Sequence, residues 1–302
     1  MTEERKDLAN KYRPLNFDEL IGWETGKKSL LSVLNTKRTY LLHGPRGCGK
    51  TTIGRLIAYE LDTDDMDIKE IDAASNNGVD EAREIKKNAM FSPLKSKNKV
   101  YIIDECHRLT GNAEDALLKL LEEPPMHCYF ILCTTELEKI RATIKSRAAK
   151  YEVKPLDEPQ SNRLLDWVCK EEKIEISKII KNAIIEKSEG IPREMLVSLD
   201  MVKGIKDDQE AIDLIYSASG NKQVIDLCRA LLKREQWDVM KTILKSIVEE
   251  PESVRYAVLG YMNAVLMNKY DAQALLIIEL FRESFMYSKK AGLTYACYEA
   301  IR

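Results

Sequence analysis

The sequence is short of histidine (3), tryptophan (3) and proline (9) over its 302 residues, and none of its 7 cysteines forms a C-x-x-C pair. Zinc knuckles are built from closely spaced Cys and His, so that class is excluded. Cys48, Cys106, Cys128, Cys133, Cys169, Cys228 and Cys297 are scattered along the chain and read as reduced core residues. No window approaches the ~20 consecutive apolar residues of a membrane span, which excludes a membrane role. The opening stretch MTEERKDLANKYRP is charged and lacks the apolar core of a secretory signal, so a soluble, cytoplasmic protein is expected. Charge of one sign is also missing: 47 Lys and Arg against 49 Asp and Glu leave a net charge of -2. That balance excludes coating of nucleic acid by bulk electrostatics but permits a local basic stripe. Internal repeats and low-complexity segments are absent.

What is present is an ordinary globular composition, 44% hydrophobic and 32% charged, in a chain long enough for two domains, or three if some are small. From residue 39 to 153, short β-rich runs alternate with helical stretches: TYLLHG at 39–44, KEIDAA at 69–74, VYIIDE at 100–105, CYFILCT at 128–134 and AKYEV at 149–153. Near-continuous apolar runs of this kind mark a parallel sheet covered by helices on both faces. Beyond Pro155 the strand signals stop, and helical periods follow at short intervals with glycine stops. A weak boundary falls at SASGNK, 217–222, after which the pattern is helical to Arg302. The expected domains are therefore an α/β domain over 1–153, a small helical domain over 154–217 and a second helical domain over 218–302.

The segment Gly44-Pro45-Arg46-Gly47-Cys48-Gly49-Lys50-Thr51, followed by Thr52, matches G-x-x-x-x-G-K-[ST] between an expected strand and an expected helix, the context a phosphate-binding loop requires. Its glycines let backbone N–H groups and the helix N-terminus face phosphate oxygens. Lys50 supplies a point charge to the β- and γ-phosphates, and Thr51 a hydroxyl to Mg²⁺. VYIIDE adds Asp104 and Glu105 at the end of another apolar strand. Asp104 would hold Mg²⁺ through water and Glu105 would polarise the attacking water, so ATP hydrolysis is expected, with ATP and Mg²⁺ as the bound groups. A kinase acting on a small metabolite shares this loop and is the rival reading from these residues alone.

Further stretches resemble the gamma/tau motor subunit family of the bacterial DNA polymerase III clamp loader: NKYRP at 10–14, GPRGCGKTT at 44–52, EIDAASNNGVDEAREI at 70–85, VYIIDECHRLT at 100–110, ALLKLLEEPP at 116–125 and FILCTTELEKI at 130–140. The resemblance covers most of residues 10–200. It implies an AAA+ RecA-like parallel-sheet ATPase domain, a helical lid and an all-helical oligomerisation collar. By the same resemblance, Thr135 is the sensor that reports the γ-phosphate and Arg147, in Ser146-Arg147, is a trans arginine finger, which is worth roughly 10³-fold or more in rate. Arg193, in Gly190-Ile191-Pro192-Arg193, is the lid-domain sensor arginine. Lys119 is the switch residue that holds Glu105 inactive until DNA arrives, and Arg13 and Pro14 pack around the adenine.

Three departures stand against the family pattern. Its Ser-Arg-Cys element reads Ser146-Arg147-Ala148, which keeps the arginine. The four-cysteine zinc module expected before EIDAASNN is replaced by ELDTDDMDIKE, so no structural zinc is expected. The chain stops at Arg302 without a long extension, as a compact version carried by a phage or other mobile element would.

The resemblance also implies partners: a sliding clamp, other loader subunits in a ring of about five, and primer–template DNA held by backbone contacts that position without reading sequence. Asn76, Asn77 and Arg83 are the DNA candidates, on a helix expected to start at Asn77, with Lys86 and Lys87 beside them. Three alternatives compete. A non-hydrolysing stator of the same loader would not need Lys50, Thr51, Asp104 and Glu105 intact. Another AAA+ DNA machine, such as a branch-migration helicase or replication initiator, normally appends a winged-helix or helix-turn-helix domain, of which 220–302 shows no sign. A small-molecule kinase has no use for a trans arginine or a collar.

Overall fold

The computed structural model describes residues 7–34, 36–217, 222–268 and 270–302. The chain divides into two compact units. One runs to Gln160 and also includes Ile191–Glu194; the other comprises Ser161–Gly190 and Met195–Arg302. The sequence boundary expected at 217/218 lies outside the described residues.

The first unit holds the short helix α1 (Leu8–Lys11), α2 (Glu24–Val33), β1 (Thr39–His43), α3 (Lys50–Glu60), β2 (Ile68–Asp72), α4 (Val79–Ala89), β3 (Lys99–Asp104), α5 (Gly111–Glu122), β4 (Cys128–Thr134), α6 (Ala142–Arg147) and β5 (Ala149–Glu152). All five strands are parallel, in the order β2-β3-β4-β1-β5. The burial follows this order. Every residue of β4, in the centre, is buried, whereas the edge strand β5 alternates between half-buried and exposed positions. Alternate residues of the central strands feed two cores. Tyr40, Leu42, Val100, Ile102 and Ile131 pack with Ile53, Leu56 and Ile57 of α3. Tyr101, Ile103, Phe130 and Leu132 pack with Ala82 and Ile85 of α4 and Leu117 and Leu120 of α5. Tyr101 and Phe130 stack with ring centroids 5.1 Å apart. Each such side chain, fully withdrawn from water, contributes on the order of 2 kcal/mol, and the two-sided core explains why the strands read as continuous apolar runs.

The second unit is helical throughout its described residues: α7 (Glu158–Glu172) and α9 (Pro192–Val202), whose first residues belong to the first unit, with α8 (Lys178–Ser188), α10 (Asp208–Ser217), α11 (Lys222–Lys233), α12 (Trp237–Ser246), α13 (Pro251–Asn268), α14 (Ala272–Phe281) and α15 (Lys289–Ile301). Buried polar groups pin these helices together, as the cost of leaving them unpaired requires. The Gln273 amide donates to the carbonyls of Leu231 (3.0 Å) and Ala300 (2.6 Å) and accepts from Arg234 Nε (2.7 Å), joining α11, α14 and α15. The Asp213 carboxylate accepts from the Tyr261 hydroxyl at 2.7 Å and pairs with Arg229. Six of the seven cysteines are buried and Cys169 is half-buried; all are free thiols, as their scatter implied. Among the described residues no helix is long and apolar enough to cross a membrane.

Candidate active site

The carboxyl ends of β1, β3 and β4 lie side by side, because β4 pairs with both neighbours and His43 stands opposite Thr134. Crevices at the carboxyl ends of parallel strands are the usual place for a ligand in such sheets. The loop leaving β1 depends on glycine at two points. At Gly44 (φ +151°) a Cβ would lie 2.0 Å from the Val153 carbonyl oxygen, and at Gly47 (φ +82°) it would lie 2.7 Å from Ile191 Cγ2 and 3.5 Å from Arg193 Cβ. The second contact sets Ile191 and Arg193 beside the loop, with the Arg193 side chain exposed. Cys48 is buried, Arg46 exposed and Thr52 half-buried at the start of α3. Lys50 is buried, and its ammonium donates to the carbonyls of Gly44 and Pro45 at 2.9 Å each, strapping the loop.

From the next residue the loop joins the acidic pair. Thr51 Oγ1 donates to Asp104 Oδ2 at 2.6 Å, and Asp104 Oδ1 accepts from the Glu105 backbone N–H at 2.9 Å. Glu105 adopts φ +48°, an uncommon conformation for a non-glycine residue that is held by its surroundings. Its Oε2 accepts from Thr135 Oγ1 at 3.1 Å and lies 3.4 Å from His107 Nδ1. Thr135 falls one residue beyond β4, whose final residue is the buried Thr134. Thr134 Oγ1 accepts from the Glu136 backbone N–H at 3.0 Å and lies 3.0 Å from His107 Nδ1, while His107 Nε2 lies 3.0 Å from Glu136 Oε1. The hydrogen bond from Lys139 holds the Glu136 carboxyl below the ordinary carboxylate range. Burial pushes up the thiols of Cys106 and Cys133 beneath this cluster, with the nearby Asp104 charge adding to the effect. His107 escaped the sequence reading as a site residue, although the D-E-x-H spacing carried it in plain view. A hydroxyl and a carboxylate within 2.6 Å, a strapped lysine and a glycine loop that side chains would fill form a donor set that suits Mg²⁺ and a triphosphate.

Other candidates lie apart from this cluster's hydrogen bonds. Arg147 ends α6, exposed, with Nη2 3.0 Å from Glu122 Oε1 and Nη1 donating to the Thr143 carbonyl at 3.0 Å. Lys119 is exposed on α5 and its ammonium has no partner among the described residues. Arg13 and Pro14 are half-buried in the coil after α1. The helix expected at Asn77 begins at Val79 instead, with Gly78 as its cap. The preceding residues are held in a turn: the Asn76 backbone N–H donates to the Asp72 carbonyl at 2.9 Å, and the Asn77 carbonyl accepts from the Thr110 N–H at 3.1 Å. Asn76 and Asn77 are exposed there, and so are Lys86 and Lys87 further along α4. Arg83, also exposed, pairs with Asp80 in the helix's first turn at 3.1 Å.

Comparison with known proteins places this geometry. The DNA polymerase III subunit gamma of Buchnera aphidicola is 33% identical over 262 residues, covering 79% of this chain and 70% of that protein. The chain belongs to the DNA polymerase III gamma/tau family. It is 35% identical over 221 residues to the gamma/tau subunit of Mycobacterium tuberculosis, with 65% of this chain and 38% of that protein covered. The Escherichia coli tau subunit is 31% identical over 297 residues, with 89% of this chain and 46% of that protein covered. The chain thus spans less than half the length of the Mycobacterium tuberculosis and Escherichia coli relatives. Residues 60–157 also match the model of the DNA polymerase III delta subunit. Among solved structures, the Thermotoga maritima RuvB Holliday junction branch migration motor is 23% identical with a TM-score of 0.55, covering 88% of this chain and 90% of that one. A Walker-type ATPase of Pyrococcus abyssi is 16% identical with a TM-score of 0.53, covering 84% of this chain and 93% of that one. These likenesses show that the chain shares the overall fold of those proteins.

Proposed function

We propose that this gamma/tau family chain is an ATP-hydrolysing motor subunit of a clamp loader, opening a ring-shaped sliding clamp and placing it on primer–template DNA. The observation that carries the reading is the continuous hydrogen-bonded path from Thr51 through Asp104 and Glu105 to Thr135. It joins a phosphate loop, a metal-binding carboxylate, a base and a sensor at the ends of three adjacent strands, as nucleotide hydrolysis needs and a scaffold does not.

In this reading the loop amides and Lys50 bind the phosphates of ATP, with Gly44, Pro45, Arg46, Gly47, Cys48, Gly49 and Thr52 forming the rest of the cradle. Arg13 and Pro14 border the adenine. Thr51 and Asp104 hold Mg²⁺, which when bound neutralises charge on the phosphate oxygens. Glu105 takes the proton of the attacking water. Thr135 and Arg193 sense the γ-phosphate from within the subunit, the second supported by its place beside Gly47. Arg147 serves the neighbouring subunit's site, and Lys119 restrains Glu105 until DNA is bound.

Residues 154–217 act as lid and 218–302 as collar in a mixed ring of about five subunits. Supporting the collar role, Tyr256, Leu275, Met286, Tyr287 and Tyr295 are all more than half exposed in the helical unit, large side chains available to a partner subunit. Asn76, Asn77 and Arg83 contact the DNA backbone without reading sequence. The work is done in the cytoplasm.

Steady-state ATP hydrolysis tests this, measured on the chain assembled with its co-encoded loader subunits, with and without primed DNA and clamp. A several-fold rise in turnover when both are present supports the motor reading. Turnover that is absent or indifferent to DNA and clamp overturns it.

A further inference from the structure

The Glu105 carboxylate is held by one oxygen only. Oε2 accepts from Thr135 Oγ1 (3.1 Å) and faces His107 Nδ1 (3.4 Å), while Oε1 has no partner among the described residues. The His107 side chain is only 4% exposed and is braced from behind, with Nε2 3.0 Å from Glu136 Oε1 and Nδ1 3.0 Å from Thr134 Oγ1. The ring therefore links Glu105, the residue that follows β3, to Thr134 and Glu136 at the end of β4, while Thr135 binds Glu105 directly.

We propose that His107 is a positioning residue for the hydrolytic base: its Nδ1, which hydrogen-bonds with Thr134 Oγ1 at 3.0 Å, also faces Glu105 Oε2 at 3.4 Å, and a proton there attracts that oxygen, so that Oε1 is the oxygen that takes the proton from the attacking water. This rests on the reading of Glu105 as that base. The arrangement has a consequence for the sensor. Thr135 has one hydroxyl proton, and turning it to a phosphate oxygen removes its bond to Glu105. His107 is then the hold that remains, braced by Glu136, and the base keeps its aim while the sensor changes partner. A general base contributes only when its lone pair is within hydrogen-bonding reach of the proton it removes, and misplacement by about 1 Å can cost on the order of 10²-fold in rate.

The test separates the two ring nitrogens. Asparagine carries its amide nitrogen where Nδ1 stands, and glutamine reaches to where Nε2 stands. In the assembled loader, His107→Gln lowers the single-turnover hydrolysis rate by about tenfold or more, while binding of a fluorescent ATP analogue stays within about twofold. His107→Asn recovers most of the rate. A histidine that only filled the buried site would show no such ordering, and one that only held Thr134 through Nδ1 would show it in stability without a change in the rate of the folded assembly. Equal rates in the two variants, or a faster Gln variant, overturn the proposal. Should both variants fail to fold, Glu136→Ala, at a partly exposed position, slows hydrolysis by roughly threefold or more at unchanged ATP binding; an unchanged rate overturns the proposal. A wild-type assembly that never hydrolyses ATP removes the reading of Glu105 itself. A hydrolysing wild type with indifferent variants removes only the role of His107.

Discussion

Arg147 Nη2 lies 3.0 Å from Glu122 Oε1, so the proposed trans-acting arginine is paired, within its own chain, to the end of α5. Both side chains are partly exposed, at 42% and 35%, and such surface pairs contribute about 0–1 kcal/mol. An arginine finger contributes roughly 10³-fold or more, about 4 kcal/mol. The intrachain pair is therefore easily given up when a neighbouring nucleotide is available. Arg147→Ala is expected to abolish the gain in turnover caused by DNA and clamp while leaving nucleotide binding intact. Glu122→Gln, which weakens the competing pair, should keep that gain or increase it slightly. Stimulated hydrolysis by the assembled loader checks both, and a full gain in the Arg147→Ala variant would sink the trans role.

The two carboxylates at the end of β3 differ in their partners: Asp104 is bonded to Thr51 and to the Glu105 N–H, whereas Glu105 Oε1 has no partner among the described residues, so the proposed roles predict a division of work. Glu105→Gln should bind ATP normally and hydrolyse it about 10²–10⁴-fold more slowly, the range for loss of a general base. Thr51→Ala should instead weaken Mg²⁺-dependent nucleotide binding. Calorimetric titration of nucleotide with and without Mg²⁺, paired with hydrolysis rates, distinguishes the two. Equal loss of binding in both variants would contradict the division.

Gly47→Ala tests the contact between the phosphate loop and Ile191. The added methyl meets Ile191 Cγ2 at 2.7 Å on a backbone with φ +82°, and the left-handed conformation alone costs an alanine about 1–2 kcal/mol. Nucleotide affinity should fall tenfold or more as loop or isoleucine shifts. Restored affinity in Gly47→Ala with Ile191→Ala would assign part of the loss to the clash, and the remainder to the backbone.

The linear parts of this molecule were legible in the sequence. The central strands β1, β3 and β4 read as apolar runs because helices cover both faces of the sheet there, and the phosphate loop and acidic pair are local motifs whose chemistry fixes their spacing. What escaped depends on contacts between distant segments. Asn77 read as a helix start, but its carbonyl is taken by Thr110, 33 positions later by residue number, and the helix waits until Val79. His107 stood inside a motif already quoted, yet its partners Thr134 and Glu136 lie on another strand end. Arg193 was matched by resemblance alone; its position beside Gly47 follows from the return of Ile191–Glu194 to the first unit.

Asp67 gave no signal at all in the sequence, because its partners are 27 to 29 residues away. Its buried carboxylate accepts from the backbone N–H groups of Leu94 (2.5 Å), Lys95 (2.8 Å) and Ser96 (2.8 Å) and from the Ser96 hydroxyl (2.8 Å). Burial pushes this carboxyl up, but the four bonds outweigh it and hold the group at about 2, below its ordinary 3.8. A depressed carboxyl stabilises the fold in full above its unfolded value, and that contribution is lost as pH falls through the folded one. Asp67→Ala strips these donors of a charged acceptor and should cost about 2–3 kcal/mol at pH 7. The gap between wild type and variant should narrow as pH drops from about 4 towards 2, since the wild-type carboxylate is then being protonated. Urea unfolding followed at neutral and acid pH reads this directly. A gap that stays constant across the range would mean that the side chain holds the 94–96 loop by packing and not by its charge.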